Sequence, residues 1–257
     1  MLLDLHVHTT RGSGDSSLRP EELVEEATRI GLDGVCLTEH THSWTDDEIE
    51  RATDDTGLRF FRALEVETDA GHVLVIGENG YYSEMRSIAR LGERARSSGA
   101  AIVLAHPFRH LYAPGPEQRC ILAKDAGVAP GDVRAAARIP AIRHAHALEV
   151  VNGATPEADN NFTLEVATLL GFPSTGGSDA HSVHGLASGV TEIDGDPRNS
   201  KELAEIIRGG GVRAGVDMHI GRLKFLETQG GKRRGPISRS PASQAEDTRD
   251  RGTGPRS

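Results

Sequence analysis

Apolar runs in this chain repeatedly stop on a side chain that can bind a metal. Residues 2–5 lead into His6 and His8, residues 35–38 into Glu39 and His40, Ala63 and Leu64 into Glu65, residues 102–105 into His106, and residues 174–177 into Asp179 and His181. His72 stands instead at the start of such a run, 72–76. Short buried runs of this kind read as strands. A fold in which many strand ends meet at one point is a barrel, and its chemistry gathers there. The pattern therefore restricts the chain to folds that bring imidazoles and carboxylates from distant strands together, and it points to a multinuclear metal centre.

The rest of the rhythm agrees with a barrel. Pro20 opens a helix with Glu21 and Glu22 in its first turn, where the helix dipole favours them, and Gly31 ends it. Helical stretches are expected at 45–54, 84–97, 157–170 and 201–208, and further strands at 60–66, 147–151, 190–193 and 212–216. Alternating strands and helices define an α/β fold, and 257 residues suffice for one barrel. No glycine-rich phosphate loop follows the first strand, which weakens a dinucleotide-binding reading. Residues 1–228 are expected to form one domain, with an irregular insertion at 112–143 that contains four prolines. Its length exceeds that of a plain connection and hints at function. Residues 229–257 are rich in Gly, Pro, Ser, Arg and Asp and read as a disordered tail.

Composition narrows the partners. Aromatic residues make up only 4%, so the core must be mainly aliphatic, and a net charge of −9 argues against a basic nucleic-acid footprint over the whole surface. A nucleotide substrate stays compatible, because bound cations reverse the local sign. Two cysteines, Cys36 and Cys120, fit neither a disulfide framework nor a paired-cysteine zinc motif. The expected setting is soluble and cytoplasmic, with no membrane partner, since no apolar run approaches the ~20 residues of a membrane helix.

The candidate ligands carry competing readings. His6 and His8 sit two apart on a strand and face the same side, so both can reach one ion; Asp179 and His181 repeat the spacing. Asp15 is either a turn aspartate or a ligand, and His40 either a surface histidine or a ligand. Glu65 lies among apolar neighbours, where a carboxylate is costly unless paired or metal-bound. Glu67 is its same-face competitor, readable as polar surface. His106 ends a strand before Pro107, and His72 begins one. Glu149, in an apolar strand, is placed to orient a ligand histidine. Arg11, Arg109 and Arg143 are candidates for a phosphate-binding fork, Arg109 first because it follows His106 closely. His110, His144, His146 and His219 lack a strand-end setting, as do His42 and His184, though these two fall close to candidate ligands in sequence. Histidine and carboxylate ligands suit zinc, manganese or iron.

Taken in order, His6-Val7-His8, Asp15, Thr38-Glu39-His40, Leu64-Glu65, His72, Ala105-His106-Pro107 and Gly177-Ser178-Asp179-Ala180-His181 resemble the motifs of the PHP family, the polymerase and histidinol phosphatase superfamily, over residues 1–217. The resemblance implies a distorted (β/α)7 barrel with two or three divalent ions (Mn, Zn or Fe) at the strand ends. It implies one ion held by His6, His8, Glu65 and Asp179, a second by Glu65, His72 and His106, and a third by Asp15, His40 and His181. It further implies hydrolysis of a phosphoester by a metal-activated water. Arg109 would neutralise phosphoryl charge, and His181 or His40 would position or protonate the leaving group. The implied substrate is a small phosphorylated metabolite, a nucleotide or a short oligonucleotide. Two alternatives stand beside it: an amidohydrolase-like C–N or C–O hydrolase, disfavoured because no lysine precedes Lys124 to bridge metals, and a non-catalytic metal-binding scaffold.

Overall fold

The structure, a computed structural model, describes residues 1–41 and 44–226. The expected tail at 229–257 and His42 lie outside the described residues. Seven strands, β1 (Leu2–Val7), β2 (Gly34–Glu39), β3 (Arg59–Thr68), β4 (Gly71–Ile76), β5 (Ala101–Leu104), β6 (Ala147–Asn152) and β7 (Ser174–Gly177), follow one another in spatial order. The chain just after β7 returns to the side of β1. There His8 N–H donates to Ala180 O at 3.0 Å, and Asp179 N–H donates to His6 O at 2.8 Å. The seven strands thus close as a distorted α/β barrel.

The distortion has a covalent cause. β1, β2 and β3 are parallel, as are β5, β6 and β7, but β4 runs antiparallel to both of its neighbours. Only Asp69 and Ala70 separate β3 from β4. A connection this short makes a hairpin; a parallel partner would need a crossover of a dozen residues or more. Gly71, at φ 98°, supplies the left-handed backbone the hairpin needs. Beyond the barrel, β8 (Gly189–Ile193), β9 (Val212–Val216) and β10 (Lys224–Phe225) extend the sheet antiparallel from β1.

Helices α1 (Pro20–Ile30), α2 (Asp46–Thr56), α3 (Ile88–Ser98), α6 (Glu157–Leu170) and α7 (Ser200–Arg208) pack around the sheet. The helix expected over 84–97 is in fact a 3-10 turn, Ser83–Arg86, followed by α3. The chain is extended at Ser87, and Asp69 Oδ1 accepts from Ile88 N–H at 2.8 Å, so α3 starts afresh there. The irregular stretch between β5 and β6 holds the short helices α4 (Ile121–Asp125) and α5 (Val133–Ala136). Leu3, Leu5, Cys36, Phe61, Leu74 and Val103, from five neighbouring strands, join one apolar cluster that fills the barrel, and Leu203 and Ile207 of α7 pack on it. Burial pushes the Cys36 thiol well above its usual range, which makes it an inert core residue. Among the described residues, no helix is long and apolar enough to cross a membrane.

Candidate metal centre

The antiparallel β4 explains how His72 can begin a strand and still reach the centre. Because β4 runs opposite to its neighbours, its first residues lie at the end where β1, β2, β3 and β5 finish. Glu67 pairs with His72 across the hairpin, and Glu65 is the diagonal neighbour on the same face. His72 Nδ1 lies 2.8 Å from Glu65 Oε1. Glu67 itself is exposed and takes no part.

Glu65 sits at the middle and is almost fully buried. Its Oε1 faces His6 Nε2 (3.4 Å), His72 Nδ1 (2.8 Å) and His106 Nε2 (3.1 Å). Its Oε2 faces His8 Nε2 (3.3 Å) and His40 Nδ1 (3.4 Å). Asp179 Oδ1 stands 3.5 Å from His6 Nε2 and 3.3 Å from His8 Nε2. Ligand atoms within 4.8 Å of one another form three groups: His6, His8, Glu65 and Asp179; Glu65, His72 and His106; and His8, His40 and His181. Asp15 Oδ2 lies 3.4 Å from His40 Nε2 and 3.3 Å from His181 Nε2, at the solvent rim. The structure thus brings together all nine ligand candidates, with His8 closer to the outer group than the sequence suggested. His184 does not join them; it is exposed beside Glu26 of α1.

Whether these residues suit metal ions can be judged from their protons. His6 Nδ1 lies 2.9 Å from Glu149 Oε1, so that nitrogen keeps a proton and Nε2 is the nitrogen that can give up its proton to an ion. His8 Nδ1 lies 3.1 Å from Ser13 Oγ. The Ser13 hydroxyl donates to Glu39 Oε2 at 2.7 Å, so Oγ accepts from His8 Nδ1, and Nε2 is again the nitrogen that can turn to an ion. Both Nε2 atoms are buried and have no hydrogen-bond partner. Each faces carboxylate oxygens yet makes no hydrogen bond to them. Imidazole nitrogens and carboxylates converging on one dry point need positive charge among them, which protons supply in the ion-free protein and divalent ions supply when they displace those protons, so the donor set fits divalent ions.

The electrostatics agree. Burial raises the cost of charge on Glu65, yet His6, His106 and His72 hold its carboxyl well below the usual range. Burial opposes a charged His6, but Glu149, Asp179 and Glu65 outweigh it and hold its pKa well above the ordinary value. Burial lowers His106, and it lowers His40 with help from His8. Asp179 is buried, yet His6 and His8 keep it ionised far below the carboxylate range.

Positioning groups complete the site, and sequence alone reached only some of them. Glu149 Oε2 accepts from the backbone N–H of His106 (2.8 Å) and from Asn152 Nδ2 (2.9 Å), so one carboxylate orients two ligands. His106 and Asp179 both hold left-handed backbone, φ 31° and 57°. Such conformers persist only when the surroundings over-determine them; here the Glu149 and His6 contacts to their N–H groups do so. Arg109 comes to the centre from behind Asp179. Its Nη2 donates to Asp179 Oδ2 at 2.5 Å and to Asn152 Oδ1 at 2.6 Å, and its Nε donates to Thr155 Oγ1 at 2.8 Å. Asp4 was missed. It is fully buried, accepts from the N–H groups of Ser178 and Ala187, and ties the loop that carries Asp179 to β1. Burial pushes its carboxyl up to about 6. Only its position within an apolar strand signalled it.

The chain belongs to the PHP superfamily: the PHP domain model matches residues 4–115, and the PHP-associated model matches residues 157–212. An error-prone DNA polymerase from Nocardia farcinica is 27% identical over 116 residues, which is 45% of this chain and 9% of that protein. The matching segment thus spans about a tenth of the length of its curated relatives. Among solved structures, a candidate metal-dependent phosphoesterase from Bifidobacterium adolescentis aligns over 86% of this chain and 98% of its own, with TM-score 0.55 and 18% identity. An amidohydrolase from Chromobacterium violaceum aligns over 82% and 96%, with TM-score 0.53 and 16% identity. At these identities the likeness concerns the fold.

Proposed function

We propose that the chain is a metal-dependent hydrolase of phosphoesters, acting on a small phosphorylated metabolite, a nucleotide or a short oligonucleotide. The observation that carries this reading is the pair of buried, partnerless Nε2 atoms of His6 and His8 facing Glu65 and Asp179. His6, His8, Glu65 and Asp179 would hold one ion, Glu65, His72 and His106 a second, and His40 and His181 with Asp15 a third. Divalent ions there would supply the Lewis acidity and activated water that phosphoester hydrolysis needs.

The chain's own residues do the rest. Glu65, with its oxygens turned to different histidines, fixes the spacing between the inner ligand groups. Glu149 and the Glu39–Ser13 pair hold His6 and His8 in the tautomer that offers Nε2. Arg109 fixes Asp179, and it is a positioning residue more than a phosphate clamp, because its Nε and Nη2 are engaged by Thr155, Asn152 and Asp179. His40 and His181 are partly exposed at the rim. They are the side chains placed to meet a substrate oxygen that enters from solvent, in keeping with a role at the leaving group. A centre built on a modified lysine finds no support, since the lysines among the described residues, Lys124, Lys201 and Lys224, all lie outside it.

The test combines metal analysis with turnover. Purified protein loaded with manganese, zinc or iron should retain two or three ions per chain and hydrolyse members of a panel of phosphomonoesters, nucleotides and short oligonucleotides. A protein that retains ions but turns over no phosphoester, and instead cleaves amides or cyclic ureides, would replace this reading.

A further inference from the structure

A cleft of about 200 Å³ opens beside the centre and shares His72 and His106 with the Glu65 group. Leu104 and Pro107 form its wall at the end of β5, and Ile121 and Leu122 of α4 face them from the irregular segment. Leu104 and Leu122 are buried, whereas Ile121 is 45% exposed. An isoleucine left open to solvent at the lip of an apolar cleft is available surface for a ligand. Among the described residues no carboxylate lines the cleft, while Arg119 does, and Arg109, although paired with Asp179, also borders it, in a chain whose net charge is −9. The local sign therefore suits an anionic ester even though the whole chain is acidic. Size narrows the occupant further. A cavity of roughly 150 Å³ lined by aliphatic side chains takes up one benzene ring. The cleft therefore has room for about one ring beside His72 and His106, and past Arg119 and Ile121 it opens into a wider hollow of about 560 Å³.

We propose that this cleft receives the alcohol portion of a phosphomonoester, that it selects a ring-sized apolar group, and that Ile121 is a specificity-determining residue. The assignment rests on reading the adjoining centre as a phosphoester site: with the phosphoryl group at the ions, the carbon substituent runs past His72 and His106 between β5 and α4.

The experiment compares benzylphosphonate with ethylphosphonate, non-hydrolysable anions that differ in the ring, by calorimetric titration of the full manganese-loaded chain. Benzylphosphonate should bind at least about tenfold more tightly, which is about 1.4 kcal/mol. Ile121→Ser, which adds no charge, should cut that preference to less than about threefold and change ethylphosphonate affinity by less than about twofold. Because Ile121 is exposed, the fold should tolerate the change; Ile121→Ala, which keeps helix propensity, should give an intermediate preference. Equal affinities in the unmodified protein, or a preference that survives both substitutions, would overturn the proposal. Turnover of benzyl phosphate and ethyl phosphate, whose leaving alcohols are similarly basic, is measured alongside. A binding preference without turnover of these esters or of any member of the wider phosphoester panel would support the cleft and reject the hydrolytic reading of the centre.

Discussion

Glu149 grips His6 from behind: its Oε1 lies 2.9 Å from His6 Nδ1, and both side chains are fully buried. The contact keeps a proton on Nδ1 and aims Nε2, the nitrogen left to meet an ion, at Glu65 and Asp179. The same carboxylate, through Oε2, accepts from the backbone N–H of His106. One side chain on β6 therefore orients candidate ligands from β1 and from the loop after β5.

Glu149→Gln tests that coupling. The amide keeps the shape but loses the charge that raises His6 basicity. Partners of this kind typically govern 10–100-fold in metal affinity, so the variant should bind manganese about tenfold or more weakly while its circular dichroism is unchanged. Manganese affinity equal to that of the unmodified protein would show that Glu149 is only core filling.

Metal affinity should rise with pH. In the protein without ions, His6, His8 and His72 have raised pKa values: the carboxylates overcome burial at His6 and His8, and a hydrogen bond to Glu65 leads at His72. These imidazoles hold protons near neutrality, and each must lose its proton before it can act as a ligand. Lowering the pH strengthens the proton as a competitor, so binding weakens toward pH 6 and tightens toward pH 8. Calorimetry in two buffers of different ionisation enthalpy should show about one proton or more released per ion. Affinity independent of pH, with no release, would place the ions elsewhere.

Much of this centre was legible because a buried strand that ends on a histidine or carboxylate is costly without a function. His6, His8, Glu65, His106 and Asp179 announced themselves that way, and the parallel strands followed from the helices between them. The antiparallel turn of β4 was equally available in the two residues that separate it from β3. Other features depend on partners far away in sequence. Asp4 meets Ser178 and Ala187 across more than 170 residues, and no local pattern encodes that meeting. Arg109 was visible as a nearby cation, but its engagement with Asp179 arises only when β7 returns to β1. That return also needs Gly177, where an added Cβ would lie 2.7 Å from Glu149 Oε1.

Trp44 should report on the centre. It is the chain's single tryptophan, and its Nε1–H donates to Glu39 Oε1 at 3.0 Å. Glu39 accepts from Ser13, which in turn accepts from His8. An ion drawing electrons from His8 Nε2 strengthens the His8–Ser13 and Ser13–Glu39 bonds and makes Glu39 a weaker acceptor for the indole, so indole emission should change as manganese is added. Ser13→Ala breaks the series; it should remove most of the response and weaken the ion by about tenfold. A full response in that variant would show that Trp44 senses something other than His8.

Glu65 carries the heaviest prediction because its two oxygens serve different histidines. Oε1 faces His6, His72 and His106, and Oε2 faces His8 and His40. Glu65→Gln preserves volume but replaces one of these oxygens with an amide nitrogen whose protons repel a cation. Whichever way the amide turns, one side of the bridge is lost. Retained metal should fall by at least one ion per chain, and turnover of a phosphoester substrate should fall by about a hundredfold or more. After chelation the variant should keep the circular dichroism of the unmodified protein but melt at a lower temperature near neutral pH, because the buried carboxylate that pairs with the protonated His6 and His72 is gone. Glu65→Asp keeps the charge but draws it back by one methylene, so it should recover part of the metal content and little of the rate. Full ion content and full turnover in Glu65→Gln would remove Glu65 from the centre and break the link between the two inner ligand groups.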